Sequence, residues 1–573
     1  MVGVVFFFRS SEMCSGESIM GSKLMLSGVM MQTAKGKDQP LLKEDSPEPT
    51  AKATKGSSFK QILVALSANW GTINTGLVFG YTAVSLPQLA LPDSRILVNR
   101  NQASWIASVS TIGTPCGCIL AGYLTDLIGR KWTLIVLQLP AIVGWLMVGY
   151  ATSIEWIYVG RFLVGLSSGM IGAPSRVYTA EVSQPHLRGV LAAFASVGTS
   201  LGVMLEYLFG SYLNWDQLAY FNAAIPTVAL FLAFFIPESP SWLISSKKDE
   251  VRCRASLRRV RDNKCDVDTE VNDLIMFSKA NDSTTFNEKL QLICRPSTYM
   301  PLVILSLYFL LSQFSGLNIV TFYAVEVIKD SGSTIDKYKA TVVLGIIRLI
   351  FTVIGCILMR RLGRKPLSYI SSVGCGVCML SLAAYMYRNA SLAADGLPAT
   401  ATWIPIMSLF TFYACSTIGY LIVPWVMIGE VFPRQIRGIM GGVSTCIGHF
   451  STFVVLQTYP LLQETASKPG TFAVYGTVSL ASTLFFYYFC PETKGKTLQE
   501  IEESFGKKKA SKKRIDAPNG TTVIAVSSSR VSADTVAVAG FDDGVRSCDN
   551  NKQFSFPDIV HNLPKRVPPN LIV

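Results

Sequence analysis

The sequence EVSQPHLRG at residues 181–189 returns as EVFPRQIRG at 430–438, with glutamate first and Arg-Gly last in both copies. Two other charged motifs occur twice and in the same order, GRK at 129–131 and 363–365 and Pro-Glu at 237–238 and 491–492. The copies lie 234, 249 and 254 residues apart, so two similar halves follow one another. Each motif stands at the end of an apolar segment. A duplicated apolar unit with its charges at the segment ends is typical of a two-half membrane transporter.

The composition indicates an integral membrane protein. Half of the 573 residues are apolar, 16% are charged and the mean hydropathy is +0.37, whereas a soluble domain carries about a quarter charged residues. In lipid the backbone must satisfy its own hydrogen bonds, so long apolar segments of ~20 residues become helices. The sequence therefore predicts an all-α membrane protein with twelve transmembrane helices in two six-helix halves. The twelve predicted spans are 62–86, 104–125, 132–150, 156–178, 190–213, 218–236, 301–325, 340–359, 367–387, 402–428, 439–459 and 471–490.

The charge distribution predicts the orientation in the membrane. An even number of spans places both termini on one side, and the loops on that side hold most of the lysines and arginines, including the segment 237–299. The positive-inside rule then makes this side cytoplasmic. We therefore expect a multi-pass protein of the cell membrane with both termini in the cytoplasm. The net charge of +13 is explained by this asymmetry, and no nucleic-acid partner is indicated.

The predicted organisation has five parts: a disordered cytoplasmic N-terminal tail (1–58), the first six-helix half (59–236), a cytoplasmic linker with short helices (237–299), the second half (300–490) and a cytoplasmic C-terminal tail (491–573). DQPLL at 38–42 matches an acidic dileucine signal, which sorting adaptors bind, although so short a match also arises by chance. Asn389 begins Asn-Ala-Ser on the predicted extracellular side and is a glycosylation candidate.

The repeated motifs are predicted to form a cytoplasmic gate. They place carboxylates beside guanidinium groups at helix ends, where arginine and carboxylate form multidentate pairs. Pairs made in one arrangement of the halves and broken in the other would bias the equilibrium between them. The alternative is ordinary cytoplasmic positive charge with acids nearby by accident, which the ordered duplication disfavours. The predicted gate residues are Asp126, Arg130, Lys131, Glu181, Arg188 and Glu238 in the first half, and Arg364, Glu430, Arg437 and Glu492 in the second.

Several ordered motifs between about 59 and 505 resemble the sugar porters of the major facilitator superfamily. These motifs are DLIGRK (126–131), GRFLVG (160–165), YTAEVSQPHLRG (178–189), PESPSW (237–242), SQFSGLN (312–318), LGRK (362–365), PWVMIGEVFPRQIRG (424–438) and PETKGKTLQEIE (491–502). Within that family, RVYTAEVSQPHLRG followed by GVMLEY is most similar to the insect facilitated trehalose transporters. The resemblance implies a central cavity between the halves, alternating access, and a sugar held mainly by the second half.

A sugar presents many hydroxyls and a few apolar faces, so its site requires neutral polar groups and an aromatic platform. Gln313 and Asn318 lie five residues apart in span 7, and each amide both donates and accepts. Trp425 in span 10 offers a flat apolar face with a polar edge. The alternatives are helix–helix hydrogen bonding for the two amides, and packing or a membrane-interface position for Trp425.

The chain departs from the family pattern at positions that bear on the substrate. Ser312 and Ser196 stand where many members have glutamine, and Thr452 where many have asparagine. Smaller side chains suggest a roomier site, which suits a disaccharide. Arg348 lies in the middle of span 8, where many relatives carry asparagine; a cation there is costly and either contacts substrate or pairs with structural groups. Arg360 and Arg361 stand where the second-half motif has an acid, which suggests a weaker gate at that end.

The sequence favours facilitated diffusion. Proton-coupled relatives place an aspartate in span 1, where this chain has Thr82, and threonine does not exchange a proton at physiological pH. Glu206 is the main acid inside the first half, and His449 in span 11 titrates in the right range but is more often a packing residue. No phosphate-binding loop, metal site or cofactor site is indicated, and no catalytic constellation suggests an enzyme. The predicted function is uniport of a sugar, most plausibly trehalose; the alternatives are a hexose facilitator and a transporter-like sugar sensor.

Overall fold

The computed structural model describes residues 55–262, 265–281, 293, 295–395, 397–398, 400–433, 436–496, 500–501, 504–505, 513–516 and 522–525. The DQPLL motif and nearly all of the predicted N-terminal tail lie outside these residues. The chain divides into two compact units, Met1–Gly506 and Lys507–Val573. In the second unit, strand Lys513–Asp516 pairs antiparallel with strand Thr522–Ala525.

The first half is a bundle of six spans. Its helices are Lys55–Asn69 and Thr72–Leu89 (span 1), Arg100–Leu127 (span 2), Arg130–Val136 and Gln138–Gly149 (span 3), Ile154–Val182 (span 4), Pro185–Leu191 and Phe194–Gly210 (span 5), and Trp215–Phe235 (span 6).

The second half repeats this arrangement. Its helices are Pro296–Gln313, Leu317–Phe322 and Ala324–Asp330 (span 7), Lys337–Leu362 (span 8), Arg364–Ala394 (span 9), Ile404–Ile418 and Val423–Val431 (span 10), and Arg437–Phe489 (spans 11 and 12).

The twelve-span prediction is confirmed once two irregularities are considered. Over the described residues, ten helices are long and apolar enough to cross a membrane. The last of these holds two spans, because Ser467 within Arg437–Phe489 has a non-helical backbone with φ 62°. Span 7 is absent from the ten because it is broken at Gly316, which takes the left-handed conformation with φ +89°. Together these account for twelve.

The halves meet along two equivalent seams. Span 2 packs against span 11, and span 5 packs against span 8; a shift of six spans converts one pair into the other. Inside the first half, span 2 lies along span 4 and span 1 along span 5. Small residues permit this proximity: a Cβ on Gly165 would lie 2.1 Å from the Ser110 carbonyl oxygen, and one on Gly169 would lie 2.0 Å from that of Thr114. Close backbone approach through small residues is the usual packing of membrane helices.

The described part of the linker includes the helices Pro240–Ser245, Glu250–Val260 and Val267–Asn281. Arg261 fastens them to the bundle. Its side chain pairs with Glu270, the Nη2–Oε1 distance being 2.6 Å, and its Nη1 donates to the Val182 carbonyl at the end of span 4 at 2.8 Å. The helix that holds Arg261's partner Glu270 is therefore joined directly to the first half.

Candidate functional site: cytoplasmic ion pairs and a polar cluster between the halves

The predicted cytoplasmic end of the first half is held by one arginine and two glutamates. Arg130 donates to Glu181 through Nε and Nη2, both at 3.0 Å, which is the bidentate geometry that makes such pairs strong. Glu238 Oε1 accepts the backbone N–H groups of Arg130 and Lys131, both at 2.9 Å. These N–H groups open the first turn of the span 3 helix, so Glu238 caps that helix with a negative charge. Asp126 adds little, because it lies 3.8 Å from Arg130 and is largely exposed.

The second half reproduces this arrangement with the equivalent residues. Arg364 makes a bidentate pair with Glu430, its Nε donating to Oε2 at 2.9 Å. Glu492 accepts the backbone N–H groups of Arg364 and Lys365 at 3.1 and 3.0 Å, which caps the span 9 helix. Residues 491–496, at the start of the predicted C-terminal tail, are thus joined to the bundle.

Glycine is required at the corner of each arrangement. Gly129 has φ +94° and Gly363 has φ +98°, a conformation that side-chain-bearing residues rarely adopt. A Cβ at Gly129 would lie 2.6 Å from Glu238 Oε2, and one at Gly363 would lie 2.7 Å from Glu492 Oε2. The glycine of each GRK motif therefore lets the Pro-Glu carboxylate reach the helix start.

These ion pairs join residues within one half. Arg188 donates to the Ser183 carbonyl at 3.4 Å, and Arg437 donates to the Phe432 carbonyl at 3.3 and 3.1 Å, again within the same half. Across the halves, the Arg360 guanidinium lies close to Gly189, where a Cβ would be 2.5 Å from Nη2. The pairs join the helix ends at the predicted cytoplasmic end of each bundle, and their role as a gate between the halves stays a prediction.

The two capping glutamates differ in electrostatics. At Glu238, burial raises the pKa above its ordinary value, although the backbone N–H groups that it accepts lower it. At Glu492, burial also raises the pKa, but hydrogen bonds from the backbone N–H groups of Lys494, Arg364 and Lys365 outweigh it, and the pKa falls below its ordinary value. The protein therefore favours the ionised form at Glu492 more than at Glu238.

We expect Glu492→Gln to lower the unfolding temperature more than Glu238→Gln at neutral pH. A depressed pKa contributes stability that is present above the pKa of the unfolded chain and is lost as pH falls through the folded value. The difference between Glu492→Gln and the unsubstituted protein should therefore shrink in acid. Thermal unfolding of the purified protein over a pH series measures both effects. A larger loss for Glu238→Gln would contradict the assignment.

On the predicted extracellular side, side chains of the two halves bond directly. Arg100 of span 2 donates to Glu464 at 2.9 Å and to Gln463 at 3.0 Å, both near the end of the span 11 helix. Ser104 and Ser108 donate to Gln457 Oε1 at 3.1 and 3.0 Å. Since these bonds close the outer end of one seam, this structure is an arrangement with the halves together on the outer side.

Three of the predicted substrate residues come together at the break in span 7. The helix ends at Gln313 and begins again at Leu317. Across this break the side chain of Asn318 lies against that of Gln313, and its Nδ2 donates to Gln313 Oε1 at 2.6 Å. The same Nδ2 donates to Thr452 Oγ1 of span 11 at 3.2 Å. The result is a neutral polar cluster of two amides and a hydroxyl, which is the chemistry that a sugar requires.

The two predicted serines contribute less. Ser312 is buried, and its Oγ donates to the Phe309 carbonyl of its own helix at 2.8 Å. Ser196 is half-buried in span 5, one turn before Ser200. Residues four apart share a helix face, so Ser196 lies on the side of span 5 that faces span 8.

Trp425 lies where the halves face each other. Its ring contacts Phe309 edge-on with centroids 5.0 Å apart, and His449 at 5.4 Å. The guanidinium of Arg176, from span 4 of the first half, lies 5.8 Å from the centre of the Trp425 ring. His449 is therefore an aromatic neighbour of Trp425 in this structure.

Arg348 is buried between the halves among hydroxyl groups. It is 1% exposed. Its Nε donates to Ser200 of the first half at 3.5 Å, and its Nη1 donates to Thr321 and Tyr413 of the second half at 3.3 and 3.2 Å. Among the described residues, no carboxylate lies close enough to Arg348 to form an ion pair. Of the two predicted roles, these contacts favour structural pairing.

Two arginines inside spans were missed by the sequence analysis. Arg161, inside the GRFLVG motif, is fully buried; it donates to the Val78 carbonyl from both Nη atoms at 3.1 Å and to Ser110 Oγ at 3.1 Å, which joins spans 1, 2 and 4. Arg176 is the other. A cation inside a span is a functional candidate by default. Applied to every span, and not to Arg348 alone, this rule identifies Arg161 and Arg176 as well.

Similarity to known proteins identifies the family of this chain. A family model described as "Sugar (and other) transporter" matches residues 25–505. The chain belongs to the sugar (and other) transporter family. This transporter is 32% identical over 458 residues to a facilitated trehalose transporter Tret1 of Culex quinquefasciatus, an alignment that covers 79% of the chain and 87% of the relative. It is 33% identical over 444 residues to a facilitated trehalose transporter Tret1 of Bombyx mori, covering 77% and 86%.

Solved structures place the transporter in the major facilitator fold. A structure of the MFS proton:xylose symporter XylE bound to 6-bromo-6-deoxy-D-glucose has TM-score 0.64 and 22% identity, covering 78% of this chain and all of the other. A partially occluded, inward-open structure of the xylose transporter XylE from E. coli has TM-score 0.63 and 21% identity, covering 77% of this chain and all of the other. The predicted family and fold are confirmed, and the protein is a multi-pass membrane transporter rather than an enzyme.

Proposed function

We propose that this transporter carries trehalose down its concentration gradient across the cell membrane, with both termini in the cytoplasm, by alternating tilts of its two halves. The observation that carries the proposal is the neutral cluster of Gln313, Asn318 and Thr452 at the broken span 7, with Trp425 on the neighbouring span. The names of the insect relatives at 32–33% identity support trehalose as the sugar.

We infer from the contacts of Thr82 that sugar transport is not coupled to proton movement. Its hydroxyl donates to the Phe322 carbonyl of span 7 at 3.0 Å. This bond joins the first half to the second without a titratable group. A neutral joint of this kind does not bind or release a proton as the halves move, which supports uniport.

Uptake of labelled trehalose and labelled glucose by reconstituted vesicles tests the proposal. We expect trehalose to equilibrate across the membrane, with no accumulation above the outside concentration and no effect of a protonophore. Glucose flux without trehalose flux would make the protein a hexose facilitator. Binding of sugar without flux of either would instead indicate a sensor.

Trp425→Ala is expected to reduce trehalose uptake about tenfold, because an aromatic platform for an apolar sugar face contributes roughly 1 kcal/mol or somewhat more. Trp403→Ala is the matched control: Trp403 precedes the same span and is 64% exposed. It should leave uptake unchanged. Initial rates are compared at equal amounts of transporter in the vesicle membrane. Equal rates for the two variants would remove Trp425 from the sugar site.

Asn389, on the predicted extracellular side, is proposed to carry an N-linked glycan. It is half-buried near the end of the Arg364–Ala394 helix, so attachment requires that the last turn of this helix open. A mobility shift on glycosidase treatment that is lost in Asn389→Gln would support it.

A further inference from the structure

A cavity of about 710 Å³ lies on the cytoplasmic side of the first half, between the ends of spans 2 and 3 and the linker helices. It is separate from the polar cluster between the halves. Its volume is within the range of small-ligand sites, ~300–1,000 Å³. The basic side chains that line it are Lys131, Lys247, Arg252 and Arg259.

The positive charge of the cavity exceeds its negative charge. Glu238 is the acid in its lining, and its Oε1 already accepts the backbone N–H groups of Arg130, Lys131 and Ser239 at 2.9 Å. Among the four cations, Arg252 is paired with Asp249 outside the cavity, with its Nε 3.3 Å from Oδ2. The remaining lysines and Arg259 therefore give the cavity a surplus of donors suited to an anion.

The contacts of these cations leave donors for a ligand. Lys131 Nζ donates to the Phe234 carbonyl at 2.8 Å, and Arg259 Nη2 donates to the Phe235 carbonyl at 3.1 Å. A lysine has three N–H donors and an arginine five, so further bonds are possible from both groups. Lys247 Nζ lies 5.4 Å from the centre of the Trp242 ring, a cation–π contact that orients the ammonium without using its protons.

Part of the cavity lining is apolar. It includes Leu127, Trp132 and Val136 at the cytoplasmic ends of spans 2 and 3. Leu127 and Trp132 are each more than half exposed, and tryptophan at a span end is typical of the membrane interface. A cationic recess with an apolar wall matches a molecule that has an anionic head and a hydrocarbon tail.

We propose that this cavity binds the phosphate headgroup of an anionic phospholipid of the cytoplasmic leaflet. Lys131, Lys247 and Arg259 contact the phosphate, and the acyl chains lie along Leu127 and Trp132. The linker supplies two of the three cations. The second half has the equivalent Lys365 and Glu492. In the part of the chain that the structure describes, the cavity is lined by the first half and the linker.

The test measures lipid retained by the full-length transporter. The protein is reconstituted into phosphatidylcholine vesicles that contain labelled phosphatidylglycerol, extracted in detergent and passed over a gel-filtration column. We expect labelled phosphatidylglycerol to remain with the protein and labelled phosphatidylcholine to be lost. Raising the salt concentration should release the bound lipid, because the attraction is electrostatic.

Variants with matched charge separate this site from general attraction to anionic lipid. Lys247→Gln combined with Arg259→Gln should reduce retention about tenfold. Lys248→Gln combined with Arg258→Gln removes the same charge from adjacent exposed positions outside the cavity, and it should retain the lipid. Equal loss in both pairs would overturn the proposal. Lys247→Gln alone changes one exposed side chain, so it gives an answer even if the double variant folds poorly; full retention in this variant would also count against the site.

Competition by soluble phosphates distinguishes a lipid headgroup from a free anion as the ligand of the cavity. Glycerol phosphate and inorganic phosphate share the headgroup chemistry but lack the tails. We expect neither to displace labelled phosphatidylglycerol except at large excess, since the apolar wall contributes to binding. Displacement by inorganic phosphate at the concentration of the lipid would assign the cavity to a soluble anion and overturn the lipid proposal. Because retention is measured without sugar, its failure would not bear on the transport function.

Discussion

Replacing Arg364 with glutamate is expected to abolish sugar uptake and to lower the stability of the second half. The change removes the bidentate pair with Glu430, whose side chain is about one-quarter exposed, and places three carboxylates together at one helix end. Losing one partner of a buried pair costs roughly 3–5 kcal/mol, and the partial exposure of this pair places the cost near the lower value. That loss is a large part of the stability of an ordinary protein.

The exchanged pair, Arg364→Glu with Glu430→Arg, distinguishes the ion pair from the individual side chains. We expect it to recover part of the uptake lost in either single variant, because the bond is restored in the opposite direction. Recovery should be incomplete, since Glu492 would then face a carboxylate instead of Arg364. The four proteins form a double-mutant cycle, which isolates the interaction between the two positions.

A thiol label reports whether the cytoplasmic end has opened. Cys490 is 4% exposed and precedes Glu492 by two residues. It should react faster in Arg364→Glu and return toward the original rate in the exchanged pair. The exchange of Arg130 and Glu181 in the first half is the matched experiment at the equivalent corner. If the exchanged pairs transport no better than the single variants, and Cys490 reacts equally in all, the ion pairs do not control the cytoplasmic end.

Arg348→Met is expected to reduce uptake about tenfold while leaving the amount of folded transporter unchanged. Methionine replaces the aliphatic part of the arginine side chain, and the hydroxyls left behind already pair with one another: Ser200 with Thr352 at 2.7 Å and Thr321 with Tyr413 at 3.0 Å. The fold therefore loses little when the charge is removed. The bond from the Arg348 guanidinium to Ser200 across the halves is lost, while the Ser200–Thr352 bond still joins span 5 to span 8. A hydrogen bond to a charged group is worth about 1.5–3 kcal/mol.

Ser200→Ala separates a tie between the halves from contact with the sugar. It removes the first-half acceptor of Arg348 and keeps the charge. If Arg348 acts as a tie, both variants should lower the maximal rate and leave the KM for sugar nearly constant. A rise in KM in Arg348→Met with no effect of Ser200→Ala would instead place the guanidinium against the substrate.

The fold, and much of the ion-pair arrangement at the predicted cytoplasmic ends, could be predicted from the sequence for physical reasons. Apolar segments of this length must become spanning helices, and charges at their ends must lie near water. Gln313 and Asn318 were identified as site candidates because they are neutral amides in an otherwise apolar span, and the structure joins them directly. Glu181 and Glu430 could be placed beside arginines because each motif repeats in order.

The remaining features depend on which helices cross and where. The sequence does not show that Arg130 and Arg364 pair inside their own halves, because that depends on the packing of spans 3 with 4 and 9 with 10. Arg176 reaches Trp425 across the two bundles, which no spacing along the chain predicts. The cationic cavity forms only where the folded linker returns to spans 2 and 3.

The hydroxyl of Thr82, bonded to the Phe322 carbonyl, has a consequence for the direction of flow. A carrier whose moving joint exchanges no ion takes no energy from an ion gradient, so the sugar concentrations alone decide which way net flux runs. The same molecule would load a cell that consumes the sugar and unload a cell that makes it, with metabolism on either side of the membrane as the only source of direction.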